Sequence, residues 1–175
     1  MRKVLLSFLI LSLILTPTYA VNIFGVNFPS TKFGGSLIFD PTYSYTGLSG
    51  YYEIGLPIKG VEGLYVMFGP SIYYGFVTGV DASLLALGID IDAIYLLKQW
   101  SFDLFGRKWF PSLNATLSID ILRFRLGTYY SYISEPIVDF DLYLGIYTPY
   151  NGKNSYMNIY FWPYPIIIGF SFVSF

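Results

Sequence analysis

Residues 138–148 read Val138-Asp139-Phe140-Asp141-Leu142-Tyr143-Leu144-Gly145-Ile146-Tyr147-Thr148. Val138, Phe140, Leu142, Leu144, Ile146 and Thr148 fall on alternate positions, with Asp139, Asp141, Tyr143, Gly145 and Tyr147 between them. Successive side chains of a β-strand point to opposite faces, so as a strand this stretch has one oily face and one polar face. As a helix it would set Asp139 and Asp141 about 200° apart.

The same rhythm runs through the chain. Leu113, Ala115, Leu117, Ile119 and Ile121 alternate with Asn114, Thr116, Ser118 and Asp120. Leu122, Phe124 and Leu126 alternate with Arg123, Arg125 and Gly127, and Leu85, Leu87, Ile89 and Ile91 with Ala86, Gly88, Asp90 and Asp92. Tyr52, Ile54 and Leu56 flank Glu53 and Gly55, and Ile166, Ile168, Phe170 and Phe172 run to the end against Gly169 and Ser171. Turn signals separate many of these runs, at residues 47–50, 59–60, 79–81, 106–108, 135–136 and 151–152. Asn151-Gly152 is the strongest, because it suits a type I′ hairpin. Between Asp120 and Arg123 the alternation slips phase without a turn residue, which fits a tight hairpin or a bulge; a hairpin is the expectation adopted.

The reading is eight strands, roughly 35–46, 50–58, 63–77, 83–98, 110–121, 122–133, 137–148 and 156–174. Ten would result if Ile23 to Phe28 and Trp100 to Phe105 pair separately. The fold class expected is all-β: a single antiparallel up-and-down transmembrane β-barrel, with no second domain.

Composition bounds the function. Only 12% of the 175 residues are charged, against about 25% in a typical soluble domain. The 10 Lys+Arg and 11 Asp+Glu leave no basic excess, so nucleic acid is not an expected partner. With no Cys and no His, disulfides, thiolate chemistry, His-based catalysis and the usual zinc sites are excluded.

Residues 1–20 have the three parts of a secretory signal peptide. Arg2 and Lys3 are the positive start, residues 4–15 the apolar run, and Thr18 and Ala20 the small residues before a cut. The apolar run is shorter than the roughly 20 residues of a membrane helix. Residues 21–175 are then the mature barrel domain. Two uncharged stretches, 63–80 and 154–175, are long enough for spanning helices, but prolines and glycines interrupt both.

In a soluble barrel or sandwich the oily face is the core and the other face carries many Lys and Glu. Here the polar face carries Gly, Ser, Thr, Tyr and Asp instead. In a membrane barrel apolar residues face lipid and polar ones a lumen. Leu117, Ile119, Leu142 and Leu144 are therefore expected to point outward. Tyr43, Tyr45, Tyr51, Tyr52, Tyr73, Tyr74, Tyr129, Tyr130, Tyr132, Tyr147, Tyr150, Tyr156, Trp162 and Tyr164 cluster toward strand ends, where Tyr and Trp suit a membrane–water boundary.

With its export signal, alternating strands, absent Cys and final Phe175, the chain resembles the small eight-stranded bacterial outer-membrane β-barrel proteins. The resemblance implies an outer-membrane location, lipid as the surrounding partner, and the barrel-assembly machinery as the reader of the last strand with its terminal Phe. One departure stands out. Counting back in twos from Phe175 gives Val173, Ser171, Gly169 and Ile167, whereas the oily face runs through Phe172, Phe170 and Ile168.

On the polar face fall Glu53, Asp90, Asp92, Asp120, Asp139 and Asp141, with Asp40 a further candidate, opposed by Arg123 and Arg125. Buried charges must be paired, and each Arg can bridge several carboxylates, so these residues are expected to form a lumen charge network. Asn114-Ala115-Thr116 matches a glycosylation acceptor but lies inside an expected strand. No catalytic, cofactor or metal residues are expected. The function expected is structural or at the cell surface, without catalysis. The alternatives are a narrow cation-preferring pore and a soluble periplasmic β-sandwich or barrel binding an apolar ligand.

Overall fold

The computed structural model describes residues 21–23, 26–42, 45–77, 82–127, 131–133, 137–150, 155–163 and 165–175. The expected signal peptide, Tyr43, Tyr129, Tyr130, Tyr164 and the expected turns at 79–81, 135–136 and 151–152 lie outside the described residues.

Alternating sequence becomes strand almost throughout. In chain order these are β1 (Val21–Ile23), β2 (Val26–Phe28), β3 (Ser30–Asp40), β4 (Tyr45–Pro57), β5 (Leu64–Val77) and β6 (Ala82–Leu96). After a 3₁₀ turn at Lys98–Trp100 follow β7 (Phe102–Leu104), β8 (Arg107–Gly127), β9 (Ser131–Ile133), β10 (Ile137–Pro149), β11 (Ser155–Pro163) and β12 (Ile166–Ser174). Each of β3, β4, β5, β6, β8, β10 and β11 pairs antiparallel with the next of that series, and β12 pairs with both β11 and β3. Eight strands thereby close into an up-and-down barrel, which leaves its sheet no free edge. β1 and β2 pair only with each other, and β7 pairs with the start of β8. The two segments that would have made ten strands do pair separately, outside the ring.

Several expected boundaries move. The phase slip at residues 120–123 is a bulge, not a hairpin. Leu87 pairs with Leu122 but Gly88 with Asp120, so Ile121 is the extra residue within one 21-residue strand. The returning strand begins instead at β9, which pairs Ser131 with Arg125. The single strand expected over 156–174 is two, joined across Pro163 and Ile166. Gly47 and Gly50, expected in a turn, sit inside β4; the turn comes earlier, where the Thr42 amide donates to Asp40 Oδ1 at 2.9 Å. That contact places Asp40 at a turn rather than in the lumen. At the β7–β8 turn Phe105 and Gly106 both have positive φ, 50° and 70°, the mark of a type I′ hairpin.

The outer face is apolar. Leu37, Phe140, Leu144 and Ile168 are 56%, 64%, 60% and 54% exposed, on three different strands. Leu142 is exposed, and Leu117 and Ile119 share its outward side by strand parity. Inside, small and large residues interlock. A Cβ on Gly47 would meet the Tyr73 ring, on Gly75 the Tyr45 ring, and on Gly169 the Tyr160 ring. Tyr45, Tyr51, Tyr73, Tyr147 and Tyr160 therefore fill the interior rather than mark a boundary, whereas Tyr52 and Tyr74 are exposed. Gly169→Ala should cost about 1–3 kcal/mol by overpacking. Denaturant unfolding in detergent should show that loss shrink in a Tyr160→Ala background.

One end of the barrel is closed by an apolar layer. Met67, Ile94, Leu96, Tyr147 and Val173 are buried there, with Tyr65, Phe110, Tyr156 and Phe175 packed against them. Phe175 is its hub: its ring stacks on Tyr65 at 3.9 Å between centroids and lies 5.6 Å from Tyr156 and 5.9 Å from Tyr147. β12 pairs without interruption from Ile166 to Ser174, so no bulge restores the oily phase. The final aromatic faces inward, in step with Val173 and Ser171.

Candidate functional site: a polar well inside the barrel

Above the apolar floor the interior holds a cavity of about 330 Å³. Of the residues expected in the lumen network, Glu53, Asp90, Asp92, Asp120, Arg123, Asp139 and Asp141 line it. Arg125 does not; it is exposed. The expectation that two Arg bind the carboxylates together is thus corrected.

The main counter-charge is Lys32, which the sequence reading missed. Its ammonium lies between Asp92 Oδ2 and Glu53, at 3.2 Å from Glu53 Oε1 and Oε2, and 4.3 Å from the centre of the Tyr51 ring. Lys32, Glu53 and Asp92 are 6%, 1% and 2% exposed, so all three charges are taken out of water together. β3 places Lys32 directly opposite Glu53 on β4, while β6 brings Asp92 across the interior. The signal for it was parity: Lys32, Gly34, Ser36 and Ile38 share a face once the strand begins at Ser30.

Arg123 has a smaller task. Its Nε lies 3.3 Å from Asp120 Oδ2. Residues three apart on a regular strand face opposite ways. The bulge at Ile121 removes one residue from the alternation and turns both inward. Arg123→Ala should cost about 1–3 kcal/mol, the price of a partly buried group left unpaired, and Arg125→Ala less than about 0.5 kcal/mol. Unfolding of both variants in detergent checks the order.

Two of the remaining carboxylates, Asp90 and Asp141, are held by neutral donors. Ser71 Oγ donates to Asp90 Oδ1 at 2.9 Å, and Tyr143 hydrogen-bonds Asp141. Tyr51 donates to the Tyr160 hydroxyl at 3.2 Å. Three further lining groups carry buried oxygens without a hydrogen-bond partner: Asp92 Oδ1, Asn114 Oδ1 and Asn158 Oδ1. Asn114 Nδ2 and Asn158 Oδ1 both border Gly145, each 2.8 Å from where a Cβ would stand. The burial of Asn114 inside the wall agrees with discounting it as a glycosylation acceptor.

Comparison with protein-family models, curated proteins and solved structures finds no match to this chain. The functional reading therefore rests on the barrel itself.

Proposed function

We propose that the chain is an integral outer-membrane β-barrel with a structural or surface role in the cell envelope, closed to conduction and without catalysis. The observation that carries this reading is the sidedness of the wall. The exterior exposes Leu37, Phe39, Leu113, Val138, Phe140 and Leu142 among others, while Lys32, Glu53 and Asp92 are buried inside. Soluble proteins rarely expose an apolar patch beyond a few hundred Å². A belt of this kind around the whole barrel suits lipid.

At the closed end, Trp100 and Phe105 are exposed beside Lys98, Arg107 and Lys108. Aromatic and basic groups together suit a headgroup region. The reading assigns residues 1–20 to export and relies on the barrel-assembly machinery for insertion.

The test is cell fractionation. The protein should require detergent to leave the outer membrane, and recovery in a salt-washed periplasmic fraction would refute the proposal. A narrow cation-preferring pore is disfavoured by the layer around Phe175, which crosses the path through the barrel. Planar-bilayer recordings of the purified protein should show no steady conductance. An apolar ligand is a poor fit to a well lined by six carboxylates.

A further inference from the structure

We propose that the well binds a small organic cation bearing primary amines, seated on the unpartnered oxygens of Asp92, Asn114 and Asn158. The inference needs only the interior geometry and goes beyond the membrane reading.

Charge comes first. Six acidic side chains line the well against Lys32 and Arg123, a formal excess of four acidic groups. A cleft of one sign between low-dielectric walls concentrates the opposite charge. Hydrogen bonding comes second and independently. Asp92, Asn114 and Asn158 are 2%, 7% and 1% exposed, and their orphaned atoms are all acceptors. Buried acceptors call for a donor, and an ammonium brings three with no acceptor of its own.

The barrel already contains one such seat. Lys32 is a primary amine held by two carboxylates against the face of Tyr51. Carboxylates and an aromatic face are the groups that recognise alkylammonium ions. Asp92 offers Lys32 one oxygen and keeps the other for a second donor. Farther along the wall, Tyr143 hydrogen-bonds Asp141 and its ring lies 5.4 Å from that of Tyr160, which continues the same chemistry.

The arrangement favours an extended organic cation over a metal ion. Among the described residues no three acidic side chains converge as a metal site. Asp90, Asp139 and Asp141 are instead distributed along the wall, where separate amines of one ligand would meet them.

The experiment is calorimetric titration of the full chain, folded in a non-ionic detergent, at low salt. The probes are 1,4-diaminobutane, its neutral isostere 1,4-butanediol, and calcium. The diamine should bind and the diol should not. Asp92→Asn should weaken the diamine at least about tenfold, the scale of one charge-assisted hydrogen bond. Because Asp92 also holds Lys32, Asp141→Asn, outside that cluster, provides a second variant with loss in the same direction. Three results would overturn the proposal: equal heats for diamine and diol, a diamine affinity unchanged in Asp141→Asn, or calcium that binds more tightly and displaces the diamine.

Discussion

Lys32→Met should be the most damaging single substitution in the interior, with a loss of about 3–5 kcal/mol. Methionine nearly matches the length of lysine and removes only the charge. Glu53 and Asp92 would then remain buried with no cation between them. The cost is that of stranding two anions, not of losing one favourable contact. Neutralising the partners should therefore recover most of it. The triple variant Lys32→Met, Glu53→Gln, Asp92→Asn keeps the shapes and carries no buried charge, and such replacements are often close to neutral. Unfolding of the single and triple variants in detergent, with exposed Lys59→Met as control, makes the comparison. If Lys32→Met loses no more than Lys59→Met, the ammonium is solvated and the buried cluster is refuted.

Leu142→Arg should cost about 2–4 kcal/mol when the barrel is folded into lipid vesicles, the range for a cation at the bilayer midplane on a lipid-facing site. Leu142 lies midway along β10, on the outer face and half exposed. Val61→Arg, at the closed-end turn between β4 and β5, should cost about 0–1 kcal/mol near a membrane interface. The contrast separates lipid from water. In water both sites are exposed, and an added charge at either is inexpensive. Equal small losses at the two positions would place the barrel in solution.

Both variants concern strand parity, and parity is the property most legible in a chain of this kind. The alternation at residues 138–148 placed Asp139 and Asp141 inside and Leu142 and Leu144 outside without reference to any partner strand. The same count placed Glu53, Asp90, Asp92, Asp120 and Arg123 on the well. Eight strands were also recovered, through two opposite errors. Residues 122–127 were given to a new strand when they continue β8, and 156–174 were read as one strand when they make two. Parity reports which way a side chain points, but not where a strand stops. An apolar run across Trp162-Pro163-Tyr164-Pro165 gives little contrast at the turn it contains.

The sequence by itself determined the period, the two faces and the absence of His and Cys, because these depend only on the order of residues along one chain. Tertiary structure decided what meets across the lumen. Lys32 and Asp92 are 60 positions apart and touch only because closure brings β3 and β6 to face one interior. Arg123 joins Asp120 because one residue, Ile121, bulges against the register of β6. Arg125, two residues farther along the same face, passes the end of the well and reaches solvent. Phe175 fills the closed end because β12 keeps its phase to the last pair, which turns the final ring onto Tyr65 instead of outward. Register, strand ends and closure are long-range quantities, set by pairing between distant segments, and the local rhythm of one strand carries no record of them.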